Sequence, residues 1–193
     1  KELFILPGQR AMSYRAALDH TQRLAAVLVS LGVEPGDRVA VQVDKSPMAV
    51  LLYLACLQVG SVYIPLNASY TQAEISYFIN DAAPRLFVHG PEFKTEFFHS
   101  SAQMRLATLD ANGVGSLTQN LTTIEPLSVV EKMAADNLAS ILYTSGTTGR
   151  SKGAMLTHDN LSSNCQALID CWKFGEQDIL IHALPIFHIH GLF

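Results

Sequence analysis

The chain has 193 residues, 49% hydrophobic and 16% charged, with a formal net charge of −4. That is enough apolar material for a real core. The mildly acidic balance, with no Lys/Arg run, argues against a nucleic-acid surface or a polybasic membrane patch, although it leaves local anion sites open. The longest strongly apolar run, "MAVLLYLACL" at 48–57, is about half of what a bilayer span requires, so it predicts a buried helix. Cys56, Cys165 and Cys171 are odd in number and far from any C-x-x-C spacing. They read as reduced packing residues in a cytoplasmic protein. The sequence starts at Lys1 without Met or a signal pattern and reads as a piece of a longer chain.

In chain order, Ser13 is the predicted N-cap of an amphipathic helix with Ala17, Thr21, Leu24, Leu28 and Leu31 inward, stopped by Gly32. "RVAVQV" predicts a strand, and Ser46-Pro47 opens the apolar helix. "SVYIPL" is the next strand, then Thr71 and Glu74 form a T-x-x-E capping box for a helix burying Ile75, Phe78 and Ile79. "RLFVHG" is a strand, 92–99 reads as helical, "MRLATL" as a strand, 110–126 as a polar loop and "LASILY" as another strand. Strands alternating with helices predict an α/β fold, with a largely parallel, doubly wound sheet covered on both faces. Ligands of such sheets bind beyond the strand carboxyl ends.

At one such end lies "YTSGTTGRSKG", residues 143–153, with three Gly, three Thr and two Ser in eleven residues. Gly146, Gly149 and Gly153 predict positive φ and close approach of backbone N–H groups to a ligand. Thr144, Ser145, Thr147 and Thr148 add hydroxyls, and Lys152 adds a cation that suits phosphate. A flexible surface turn shares this composition. A Walker A loop does not fit, because Lys152 follows Ser151 instead of Gly and "AMLT" is β-like.

The segment resembles the phosphate-binding signature of the adenylate-forming superfamily, which holds acyl-CoA synthetases, adenylation domains and luciferases. Ser151 stands where that signature usually has Pro, a change that removes no ligand-binding group. "AMLTHDNL" also fits the family, with His158 or Asp159 expected to cap the helix running through 171 and His158 read as a turn residue rather than a catalytic one.

"HALPIFHIHGLF" holds His182, His188 and His190, three of the seven histidines. In an extended segment His188 and His190 point to one side, which allows a metal pair, a packed pair or a substrate contact. No acidic residue follows to complete a zinc signature. In the superfamily the corresponding segment borders the acyl pocket, which implies that Phe187, His188 and His190 contact substrate. "LPIFHIHG" is similar to the malonyl-CoA synthetases in particular. A buried second carboxylate needs polar partners there.

The resemblance covers essentially the whole chain. It implies the N-terminal part of the large adenylation domain (residues 1–193), without the small C-terminal domain. It also implies an acid–thiol ligase that uses ATP, Mg²⁺ and coenzyme A on a small carboxylic acid, malonate or methylmalonate. Thr144, Ser145, Gly146, Thr147, Thr148, Gly149 and Lys152 would hold the phosphates, with Thr144 on Mg²⁺. The alternatives are another adenylating enzyme, such as an aryl- or fatty-acyl-CoA synthetase or an amino-acid adenylation domain, and a non-catalytic nucleotide-binding fragment.

Overall fold

A computed structural model describes residues 1–8, 10–94, 104–144 and 151–193. A short antiparallel pair, β1 (Glu2–Phe4) and β2 (Met12–Ser13), leads into α1 (Tyr14–Ser30). There follow β3 (Arg38–Gln42), α2 (Pro47–Gln58), β4 (Val62–Pro65), α3 (Gln72–Ala82), β5 (Leu86–His89), β6 (Arg105–Thr108), β7 (Leu138–Thr144), β8 (Lys152–Thr157), α4 (His158–Trp172) and α5 (Ile189–Leu192). The main sheet has the order β6-β5-β3-β4-β7-β8 and is parallel except for the antiparallel hairpin β7–β8.

The helix starts follow the local chemistry of their caps. The Ala16 amide donates to Ser13 Oγ at 3.2 Å, and the Ala49 amide to Ser46 Oγ at 3.2 Å, with Pro47 as the first residue of α2. Thr71 and Glu74 make both halves of the capping box on α3. Two bonds to Glu74 Oε2, from the Thr71 hydroxyl first at 2.7 Å and the Thr71 amide second at 2.8 Å, hold the Glu74 carboxyl below its ordinary value. Gly32 takes φ +78° after α1, a left-handed position that suits glycine.

Strand residues alternate between two cores, because successive side chains leave opposite faces of the sheet. Val39, Val41, Leu86 and Val88 join α1 and α2 on one side, where Leu24, Leu28, Leu51 and Leu52 are fully buried. Ala40, Ile64 and Phe87 join Ile75 and Phe78 of α3 on the other. The doubly wound architecture expected from the alternating pattern is therefore present. α2 is apolar nearly all round, as a helix packed on several sides must be: Ala49, Leu51, Leu52, Ala55 and Cys56 are buried, and desolvation pushes the Cys56 thiol up to about 12.

Two readings change, and a third falls mostly outside the described residues. The loop at 110–126 is more than a polar connection, since Leu117 and Leu121 are buried in the α1–α2 core. Arg23 of α1 donates to the carbonyls of Leu121 and Ile124, strapping this loop down. Of the three cysteines only Cys56 packs; Cys165 and Cys171 lie exposed on α4. The helix expected at 92–99 falls mostly outside the described residues, with Pro91 and Glu92 in a turn.

Candidate functional site

β3 feeds α2 and β4 on one side, and the chain then crosses back through α3 to β5 on the other. This reversal opens a crevice beyond the carboxyl ends of β3 and β5. A cleft of about 360 Å³ lies there, lined by residues that include Gln42, Asp44, Tyr70, Glu92 and Lys94. Its inner wall is the buried Gln42 amide, whose Nε2 donates to the carbonyls of Asn67 and Tyr70 at 3.1 and 3.2 Å.

β7 runs parallel to β4, with Tyr63 opposite Ser140 and the buried Ser140 hydroxyl donating to the Tyr63 carbonyl at 2.7 Å. Thr144 therefore ends β7 at the same edge of the sheet as the cleft. It is exposed, and its backbone partner across the hairpin is Lys152, also exposed. Among the described residues, Thr144 Oγ1 makes one long 3.5 Å contact, to the Lys152 carbonyl. Ser145, Gly146, Thr147, Thr148 and Gly149 lie outside the described residues.

The feet of this loop are held by α3, through two residues that the sequence reading missed. Tyr77 donates from its hydroxyl to the Ser151 carbonyl at 2.9 Å, and the Tyr143 hydroxyl donates to Asp81 Oδ2 at 2.6 Å. Burial first, then the Asp81 hydrogen bond, raises the Tyr143 phenol well above its ordinary value, so it stays a donor. The one available signal was the helical spacing of Tyr77 and Asp81, four residues apart on a face that also carries Phe78.

Gly153 is a correction. It lies within β8 and is absent from the positive-φ glycines; its missing side chain instead makes room for Ile141, whose Cγ2 would stand 2.8 Å from an added Cβ. The cap of α4 is a second correction. Thr157, not His158 or Asp159, is the N-cap, and it forms a reciprocal capping box with Asn160.

His158 follows that cap at the amino end of β7, where Thr157 pairs with Leu138. It is separated from Thr144 by the length of the strand, roughly 20 Å at the usual rise, which fits its reading as a non-catalytic residue. Its Nε2 is buried without a hydrogen-bond partner, and desolvation lowers its pKa below the ordinary value. A depressed folded-state value makes the unfolded chain the better proton binder, so stability is fully present above about pH 6.5 and declines as pH falls through the lower folded value. We expect the wild-type urea midpoint to drop between pH 7 and pH 5 more steeply than that of His158→Gln. Parallel profiles would show that His158 adds nothing to acid sensitivity.

The histidine-rich segment also departs from its extended reading. His188 is the extended N-cap of α5, while His190 lies within that helical turn, so the two do not share a side as alternate strand residues would. Phe187 is half-buried with its ring 4.8 Å from that of His188, and His188 and His190 are exposed. His182 is engaged, its Nε2 lying 2.7 Å from the Gly191 carbonyl. Lys45, just beyond β3, donates from Nζ to the carbonyls of His182 and Leu184. That contact brings the segment to the carboxyl end of the sheet, the end that carries Thr144 and Lys152. Among the described residues no three His, Cys, Asp or Glu side chains converge to hold a metal ion, and no helix is long and apolar enough to cross a membrane.

Comparison with known proteins agrees with this architecture. ATP-bound MatB from Rhodopseudomonas palustris superposes with a TM-score of 0.92 and 47% identity over 97% of this chain and 38% of that one. A feruloyl-CoA synthase from Amycolatopsis is 32% identical over 96% of the chain and 36% of its own length. The mitochondrial malonate–CoA ligase ACSF3 of Mus musculus is also 32% identical, over 93% of the chain and 32% of its own length. The chain thus spans about a third of the length of these relatives. The family of AMP-binding enzymes matches residues 1–193 in full, and the chain belongs to that family.

Proposed function

We propose that this chain supplies the phosphate-binding half of the site of an AMP-forming acid–thiol ligase, and that its acid is a small dicarboxylate, malonate before methylmalonate. The carrying observation is that the Thr144–Lys152 hairpin and the Phe187–His190 turn reach the same end of one sheet. One offers hydroxyls, backbone and a cation; the other offers an aromatic ring and imidazoles beside it. The names of the relatives support acyl-CoA ligation in general, feruloyl as well as malonate.

In the first half-reaction a carboxylate oxygen of the acid bonds to the α-phosphorus of ATP as the bond to pyrophosphate breaks. In the second, the thiol of coenzyme A adds to the acyl carbon, loses its proton, and AMP leaves. Lys152 and the 144–149 segment would bind and orient the β- and γ-phosphates, so their contribution is positioning and charge stabilisation instead of proton transfer. Thr144 fits Mg²⁺ as a single hydroxyl ligand, in keeping with an ion that takes most of its ligands from phosphate oxygens and water; the ion neutralises phosphate charge when bound. His188 would meet the second carboxylate, which needs a polar partner once desolvated.

With the full-length protein, AMP release in the presence of coenzyme A should show a higher kcat/KM for malonate than for acetate, octanoate or benzoate. His188→Ala should erode that preference by about 10-fold, the worth of one hydrogen bond to a charged group. A wild-type preference for octanoate or benzoate would overturn the dicarboxylate reading and leave acyl adenylation standing. Binding of ATP with no acid-dependent pyrophosphate exchange would favour a non-catalytic nucleotide-binding role.

A further inference from the structure

We propose that Lys45 is a positioning residue for acid selection, acting through the backbone of the histidine-rich turn; the inference rests on the acid-site reading of that turn given above. Lys45 lies between the end of β3 and Ser46, the N-cap of α2, and so stands on the rigid edge of the sheet. Its Nζ donates to two carbonyls of alternate residues, His182 and Leu184, the second at 2.9 Å. An ammonium has three donors and suits this bridging. Among the described residues, these bonds tie the start of the turn to the sheet, while its far end is held to α4, where Asn164 Nδ2 donates to the Phe193 carbonyl at 3.2 Å.

Beyond the tether the segment closes on itself. His182 Nε2 and the Gly191 carbonyl join at 2.7 Å, with the ring nitrogen as donor. Gly191 sits so near the turn that an added Cβ would stand 2.1 Å from the Pro185 carbonyl oxygen. Ile186 is buried in the α1–α2 core and plugs the loop from beneath. Phe187 and His188 thus project from a closed loop with apolar anchors at Ile186, Leu192 and Phe193 and a polar anchor at its start in Lys45. The apolar anchors fix depth, because burial is non-directional. Orientation requires directional bonds, and Lys45 makes them at the foot of the loop.

Four variants of the full-length protein test this: Lys45→Met, Lys45→Arg, His188→Ala and the Lys45→Met/His188→Ala double. The acid that wild type uses best is determined first. Should that acid not be a dicarboxylate, the dicarboxylate reading fails at this step, and the Lys45 test proceeds with the acid found. Lys45→Met keeps the length of the side chain without its donors. It should raise KM for the acid by about 10-fold, with kcat and KM for ATP within about twofold of wild type. Lys45→Arg, which keeps donors that reach two carbonyls, should recover most of the loss. The double variant should be no worse than the poorer single one, since both act through one loop. Wild-type KM for the acid in Lys45→Met, an equal rise in KM for ATP, failure of Arg to rescue, or full additivity with His188→Ala would each overturn the proposal.

Discussion

Replacing Lys152 by Ala in the full-length protein should lower acid-driven ATP–pyrophosphate exchange by about 10- to 150-fold. That range corresponds to the ~1.5–3 kcal/mol net worth of a charge-assisted hydrogen bond. Lys152 opens β8 opposite Thr144, is exposed, and forms no ion pair among the described residues. Its loss therefore leaves no buried partner stranded, and the folded state should tolerate it. The deficit should appear in the exchange reaction and leave thermal stability within a degree or two. Gly149→Val, argued from sequence because Gly149 lies outside the described residues, should impair the same step by blocking close backbone approach to phosphate. Exchange at the wild-type rate in both variants would remove the phosphate-loop reading. A loss of exchange accompanied by a large drop in melting temperature would mean that the hairpin is structural before it is functional.

The larger effect is expected for residues 1–193 produced alone: no measurable turnover in either half-reaction. The chain spans 38% of the ATP-bound MatB chain it matches and 32% of the mouse malonate–CoA ligase. On the reading proposed above, Thr144, Lys152 and the Phe187–His190 turn would supply only part of the contacts that reaction of ATP with the acid requires. Preorganisation of both reactants accounts for several orders of magnitude in rate, so half a site yields binding without rate. The same stretch leaves Trp172 62%, Ile179 79% and Ile181 89% exposed. Large apolar side chains left this exposed promote association, so light scattering of the purified piece should report particles larger than a monomer. Calorimetry with ATP and a pyrophosphate-release assay complete the test. Multiple turnovers of acyl-AMP formation by residues 1–193 would show that the active centre has been misplaced.

What the sequence determined by itself is local. N-caps at Ser13, Ser46 and Thr71 follow from side chains bonding amides three residues on, and such short-range bonds depend little on the rest of the fold. The two-faced parallel sheet was likewise legible, since strands alternating with helices place a helix on each face of the sheet they connect. The 143–153 segment stands out as a candidate phosphate site because its glycines, hydroxyls and lysine are contiguous. Tertiary structure decided everything that depends on residues distant in sequence. Tyr77 and Asp81 hold a loop some seventy residues away, and Lys45 reaches carbonyls 137 and 139 residues on; no periodicity encodes such pairings. Gly153 looked like a flexible loop residue, but it serves as space for Ile141, which only strand pairing places beside it. His188 and His190 looked like neighbours on one side, but His188 caps a helical turn that holds His190, with Gly191 close against the Pro185 carbonyl. Backbone hydrogen bonding at close range overrides an alternation that only an open strand would keep.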